Sequence, residues 1–145
     1  MTRTSSGSSP AVISILLVDP VHARRSALRA ILTPPLWDVC EARTCREALA
    51  ILDDMPCGVA ICDTEVPDGN WQDLLRNFEC RQNPPNLVVS SRLADDRLWA
   101  EVLNLGGYDV LAQPFDTGEV LRVTRAAGLA WHRGLAPLAR CAAAC

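Results

Sequence analysis

The chain has no lysine. All 14 of its strongly basic side chains are arginines, so no lysine ammonium can serve a phosphate-handling site. No Cys-x-x-Cys pair occurs among the seven cysteines, and the two histidines lie far from any pair of ligands, which argues against a zinc centre. No Gly-x-Gly-x-x-Gly follows the first apolar run, which disfavours a dinucleotide site. The longest apolar stretch, Ala11 to Val18, is too short to span a bilayer, and no secretory signal is visible. A cytoplasmic protein without a membrane partner is expected, its cysteines reduced and mostly small core residues. Cys141 and Cys145 are expected to be exposed and oxidisable. Net charge is −3 and the pI about 5.3, so no nucleic-acid partner is expected. The basic cluster Arg24, Arg25 and Arg29 reads as a solvated helix face.

What the chain does have is one domain's length and 49% hydrophobic residues. Residues 1–11 read as a flexible tail, 12–131 as the folded domain and 132–145 as an extension or second tail. Within the domain, short apolar runs alternate with segments of helical spacing. Ile13 to Val18 is a strand, and Leu28, Ile31 and Leu32 mark a helix ended by Pro34-Pro35. Trp37 to Ala42 is a weaker strand. Thr44-Cys45-Arg46-Glu47 has capping-box form and starts a second helix that stops before Pro56. Gly58 to Cys62 is a strand ending at Asp63, and Val66-Pro67-Asp68-Gly69 is a turn. Trp71, Leu74, Leu75 and Phe78 share one helical face. Leu87 to Val89 is a strand closed by Ser90-Ser91. Leu98, Val102 and Leu105 mark a fourth helix closed by Gly106-Gly107. Tyr108 to Ala112 is the last strand, and Val120, Val123 and Ala127 mark the last helix.

Five βα units with continuous apolar strands imply a doubly wound α/β fold, a parallel sheet covered on both faces. In such sheets the polar groups just past the strand ends converge on one crevice. Asp19, Asp63, Ser90 and Gln113 each stand at such an end, so they are expected at one rim.

Four pieces in order, Ile15-Leu-Leu-Val-Asp19, Ala60-Ile-Cys-Asp63 with Pro67 four residues on, Val88-Val-Ser90-Ser91 and Gln113-Pro114-Phe115-Asp116, resemble the receiver domain of two-component response regulators. The resemblance covers about residues 12 to 131. It implies a flavodoxin-like five-stranded parallel sheet in the order 2-1-3-4-5, flanked by five helices. It also implies a phosphoacceptor aspartate at Asp63. Two adjacent acids after the first strand hold Mg2+ with that aspartate in the family. A strand-end hydroxyl and a lysine contact the phosphoryl group, and an aromatic on the fifth strand changes rotamer on activation.

Carried over position by position, Asp19 falls on the first acid and Pro20 on the second. Ser90 keeps the hydroxyl, Gln113 replaces the lysine, and Val110 falls on the aromatic switch. Asp19 and Asp63 still offer Mg2+ two carboxylates, with Glu65 as a candidate third, so weakened metal binding is expected. Asp19 and Ser90 also suit plain structural roles, a helix cap and a strand end. His22 reads as an exposed helix-start residue. The resemblance thus implies an atypical receiver, stand-alone because few residues follow 131, acting through protein contacts with weak or absent phosphorylation at Asp63. Its partners would be a histidine kinase or another signalling protein, or a second copy of the chain. Trp99, Tyr108 and Glu119 would carry the docking surface. Two other readings are an ordinary single-domain receiver phosphorylated on Asp63, and a phosphatase-like hydrolase using Asp63 and Glu65. The first predicts labelling that Asp63→Asn abolishes, and the second turnover of phosphate esters.

Overall fold

The computed structural model describes residues 12–134. The expected N-terminal tail, most of the expected C-terminal extension and both Cys141 and Cys145 lie outside the described residues. In chain order the elements are β1 (Ile13–Val18), α1 (His22–Ile31), β2 (Trp37–Ala42), α2 (Cys45–Asp54), β3 (Val59–Asp63), β4 (Glu65–Val66), β5 (Gly69–Asn70), α3 (Trp71–Glu79), β6 (Asn86–Ser91), α4 (Asp96–Leu105), β7 (Asp109–Ala112) and α5 (Thr117–His132). Five strands form one sheet in the order β2-β1-β3-β6-β7, every pairing parallel. Without the small β4–β5 hairpin this is the expected order 2-1-3-4-5.

The apolar strands are continuous because each feeds two layers. Leu16 and Val18, Ala60 and Cys62, and Leu87 and Val89 face one side. There they pack with Ala48 of α2, Leu74, Leu75 and Phe78 of α3, and Val102 of α4. Their neighbours Ile15, Leu17, Val59, Ile61 and Val88 face the other side, against Leu28 of α1 and Val120, Val123 and Ala127 of α5. Period-2 alternation sends successive side chains to opposite faces, and both faces are covered.

Thr44 Oγ1 accepts from the Glu47 backbone N–H at 3.0 Å, as the capping-box pattern predicts. The return bond differs: the Glu47 carboxylate takes the Arg43 N–H at 2.8 Å, one residue before the cap. A reciprocal box does form at α3, between Asn70 and Asp73. The Val66–Gly69 turn is the tip of the β4–β5 hairpin, and its Asp68 carboxylate accepts from the Cys45 and Arg46 N–H groups at 2.8 and 3.0 Å. It thereby caps α2 from a distance. Gly106 ends α4 at φ +106°, a left-handed conformation that glycine adopts without a Cβ clash. The fourth helix forms where the Leu98, Val102 and Leu105 spacing predicts it. Leu105 is 45% exposed and only Val102 is buried, so this helix lies on the sheet with a thin apolar contact.

Cys40, Cys45, Cys57 and Cys62 are free thiols, the last three buried, while Cys80 is disulfide-bonded and departs from the expectation of reduced thiols. Burial pushes the Cys57 thiol up to about 12 and Cys45 up to about 11, and holds Cys62 well above the ordinary thiol range. A thiol with an ordinary value of 9.0 that titrates near 12 when folded binds its proton more tightly in the native state. Its contribution to stability is whole below the lower value and is lost as pH rises through the upper one. The melting temperature is therefore expected to fall across this alkaline window, and Cys57→Ala to flatten the fall. An unchanged slope in that variant would contradict the assignment.

Candidate functional site

The parallel register brings the strand ends together. Asp63, the last residue of β3, pairs with Ser90 of β6, and Gln113 follows β7. Gln113 Nε2 donates to Asp63 Oδ1 at 2.9 Å and to Ser90 Oγ at 3.1 Å. Three of the four residues expected at the rim are thus joined by one amide. Ser90 is buried, and the Asp63 side chain keeps 13% of its surface open. It faces a cleft of about 620 Å³, also lined by Arg24, Glu65, Arg92 and Gln113.

The fourth, Asp19, lies just past β1 with its side chain only 5% exposed. Its Oδ1 accepts from the Val21 N–H at 2.8 Å, which closes the short link from β1 to α1. Its carboxylate is also held by Arg24. Nε lies 2.8 Å from Oδ2 and Nη2 2.9 Å from Oδ1, a two-point fork. The same Nη2 stands 3.5 Å from Asp63 Oδ2. One guanidinium therefore bridges the two carboxylates. The Asp19 hydrogen bond raises the pKa of Arg24 above arginine's ordinary value, against an opposing effect of burial, and the negative charges of Asp19 and Asp63 add to the rise.

Sequence reasoning missed this. Arg29 is exposed, but Arg24 and Arg25 turn inward and do not form a solvated face with it. Arg25 is 8% exposed, donating to the Asp19 carbonyl at 2.6 Å and to Glu41 at 2.8 Å. Arg29 reaches the same Glu41 carboxylate at 3.0 Å. The available signal was a strand-end acid, a two-residue link and an arginine in the first helical turn, since helical side chains lean back toward the N-terminus.

Pro20 supplies no side-chain ligand. Glu65 is exposed, and its backbone N–H points to Asp63 Oδ2 at 3.4 Å. Among the described residues no group of three or more His, Cys, Asp or Glu side chains could hold a metal ion. With two carboxylates already forked and bridged by a guanidinium, the residues present do not fit Mg2+ in the arrangement the resemblance implies. His22 is exposed, with Nε2 3.2 Å from Ser26 Oγ. Val110 is buried and, with Trp99, Glu119 and Arg122, lines a depression between α4 and α5. Trp99 is 49% exposed there. Tyr108 is half-buried against the opposite core layer, apart from that depression.

A five-stranded parallel sheet in this order, with an aspartate, a hydroxyl and a side-chain donor joined at its carboxyl edge, defines a flavodoxin-like α/β domain. The sequence matches the response regulator receiver domain family over residues 15–125, and the chain belongs to that family. It is 31% identical over 113 residues to the transcriptional regulatory protein CpxR of Klebsiella pneumoniae, covering 77% of this chain and 47% of that protein. It is 31% identical over 104 residues to a protein-glutamate methylesterase/protein-glutamine glutaminase of Paramagnetospirillum magneticum, covering 70% of this chain and 29% of that one. The chain thus spans about half the length, or less, of these relatives. In fold it is similar to the signal receiver domain of an HD domain-containing protein from Pseudomonas fluorescens, with a TM-score of 0.77 at 24% identity, covering 87% of this chain and 93% of that one. Among the described residues no helix is long and apolar enough to cross a membrane.

Proposed function

We propose that this chain is an atypical receiver of a cytoplasmic two-component system, passing signals through protein contacts with weak or absent phosphorylation at Asp63. The observation that carries the reading is Gln113. A neutral amide stands where the family uses a lysine, and it is already bonded to both the acceptor carboxylate and the hydroxyl. A lysine ammonium adds to its hydrogen bond a full charge–charge attraction to a phosphoryl oxygen, which an amide donor lacks. A phosphoryl group on Asp63 would lose on the order of 1 kcal/mol of the differential contact that shifts a receiver between its states. Val110, an aliphatic at the aromatic switch position, weakens the coupling again.

Partners on this reading are a histidine kinase or other signalling protein, or a second copy of the chain, rather than nucleic acid. The depression around Trp99 and Glu119 is the proposed docking face, and Tyr108 borders it only in sequence. No catalysis beyond self-phosphotransfer is proposed. Incubation with acetyl phosphate and Mg2+, read by intact mass, tests the reading. No phosphoryl adduct is expected under conditions that label an ordinary receiver in the same tube. A stoichiometric adduct that Asp63→Asn removes would instead establish the ordinary phosphorylated receiver.

A further inference from the structure

We propose that Arg24 is the resident cation of this site, filling with a guanidinium the charge-neutralising role that a divalent metal has in the family, so that Asp19 and Asp63 form a metal-free pair. The inference deepens the receiver reading and needs only its assignment of the site to Asp63, not its claim about phosphorylation.

The local chain delivers Arg24 to this place. Pro20 fixes its own φ, and the Val21 N–H closes back on Asp19, so α1 begins at His22 after a link of only two residues. Arg24, in the first turn, then points toward the carboxyl edge of the sheet. Its fork takes both Asp19 oxygens, and one of them also accepts from Val21. Its remaining reach is to Asp63. A metal ion shared by the two aspartates would have to displace this fork, which leaves Asp19 no vacant oxygen. It would also have to sit beside a fixed positive charge.

The substitution at position 20 fits the same account. Three carboxylates with a divalent ion and two carboxylates with one guanidinium carry the same net charge. Loss of the second acid to Pro20 and replacement of the metal by Arg24 thus balance each other. An arginine suits the exchange, because its planar fork matches a carboxylate and stays protonated throughout the working range.

The test is a titration of the full chain with MgCl2, followed by the backbone amide NMR signals of Asp19, Val21, Asp63 and Thr64. The native chain is expected to give no saturable shift at these amides through millimolar Mg2+. Arg24→Gln is expected to gain saturable binding, tighter by at least about tenfold. Arg24→Lys keeps the charge and is expected still to exclude the ion, which keeps the proposal testable if Arg24→Gln does not fold. Saturable low-millimolar binding by the native chain or by Arg24→Lys overturns it, as does a folded Arg24→Gln that binds no tighter than the native chain. These outcomes are independent of whether acetyl phosphate labels Asp63, so the two proposals fail separately.

Discussion

A chain carrying Pro20→Asp, Arg24→Ser and Gln113→Lys together is expected to accept a phosphoryl group on Asp63 from acetyl phosphate and Mg2+, where the native chain is expected to take little or none. Each change restores one physical requirement. Pro20→Asp adds a third carboxylate where the native residue has neither a side-chain ligand nor a backbone donor to lose. Arg24→Ser releases the two carboxylates that the guanidinium now forks and bridges. Gln113→Lys keeps a donor within reach of Asp63 and Ser90 but adds the charge that a phosphoryl oxygen rewards.

A charge-assisted contact is worth about 1.5–3 kcal/mol, and a bound divalent ion several more in stabilising phosphoryl transfer. At about 1.4 kcal/mol per factor of ten, the labelling rate should rise by a hundredfold or more. Intact mass before and after addition of Asp63→Asn reads the result. The variant should also melt higher in Mg2+ than without it, because three acids without a cation repel one another and a bound ion stabilises only the folded chain. A folded variant that stays unlabelled beside a labelled ordinary receiver would mean that the defect lies elsewhere than in these three positions. Since Val110 is unchanged, labelling should not by itself restore the aromatic switch.

The legible and illegible parts of this site differ in physical kind. Asp19, Asp63, Ser90 and Gln113 could be placed at one rim from the strand ends alone, because a parallel doubly wound sheet leaves its carboxyl edge no other way to organise. The structure joins Asp63, Ser90 and Gln113 within 3.1 Å. Arg24 was not legible in the same way. A long flexible side chain in a first helical turn can point to water or back to the sheet, and periodicity does not distinguish the two. The buried Arg25 shows the same limit, since the pattern that marks a buried face counts apolar residues only. The β4–β5 hairpin was missed because two-residue strands are too short to show alternation. The Asn70–Asp73 box was missed because it departs from the Ser/Thr-x-x-Glu pattern. Leu105 belongs to the helix that its spacing predicts and is still 45% exposed, because helical spacing gives the angle of a side chain, not whether anything covers it.

Phe78→Ala is expected to cost about 3–5 kcal/mol of folding free energy. The ring is fully buried, in the layer where α3 packs on β3 and β6, beside Leu74, Leu87 and Val89. Removing it leaves a cavity that neighbours of fixed rotamer cannot fill, so the loss exceeds the transfer free energy of the ring alone. The total stability of a domain of this size is about 5–15 kcal/mol, so a large share would go. The site would register the loss through α3. That helix starts directly after the hairpin that follows Asp63, and its first residue, Trp71, donates its backbone N–H to the Thr64 carbonyl. Urea unfolding should give a lower midpoint with an unchanged slope, the signature of lost packing rather than an altered unfolded state. Leu93→Ala, at a side chain 78% exposed on the rim of the cleft, supplies the contrast and should change stability by less than about 0.5 kcal/mol. Comparable losses from the two substitutions would contradict the layer assignment, because only one of these side chains has neighbours whose contacts can be lost.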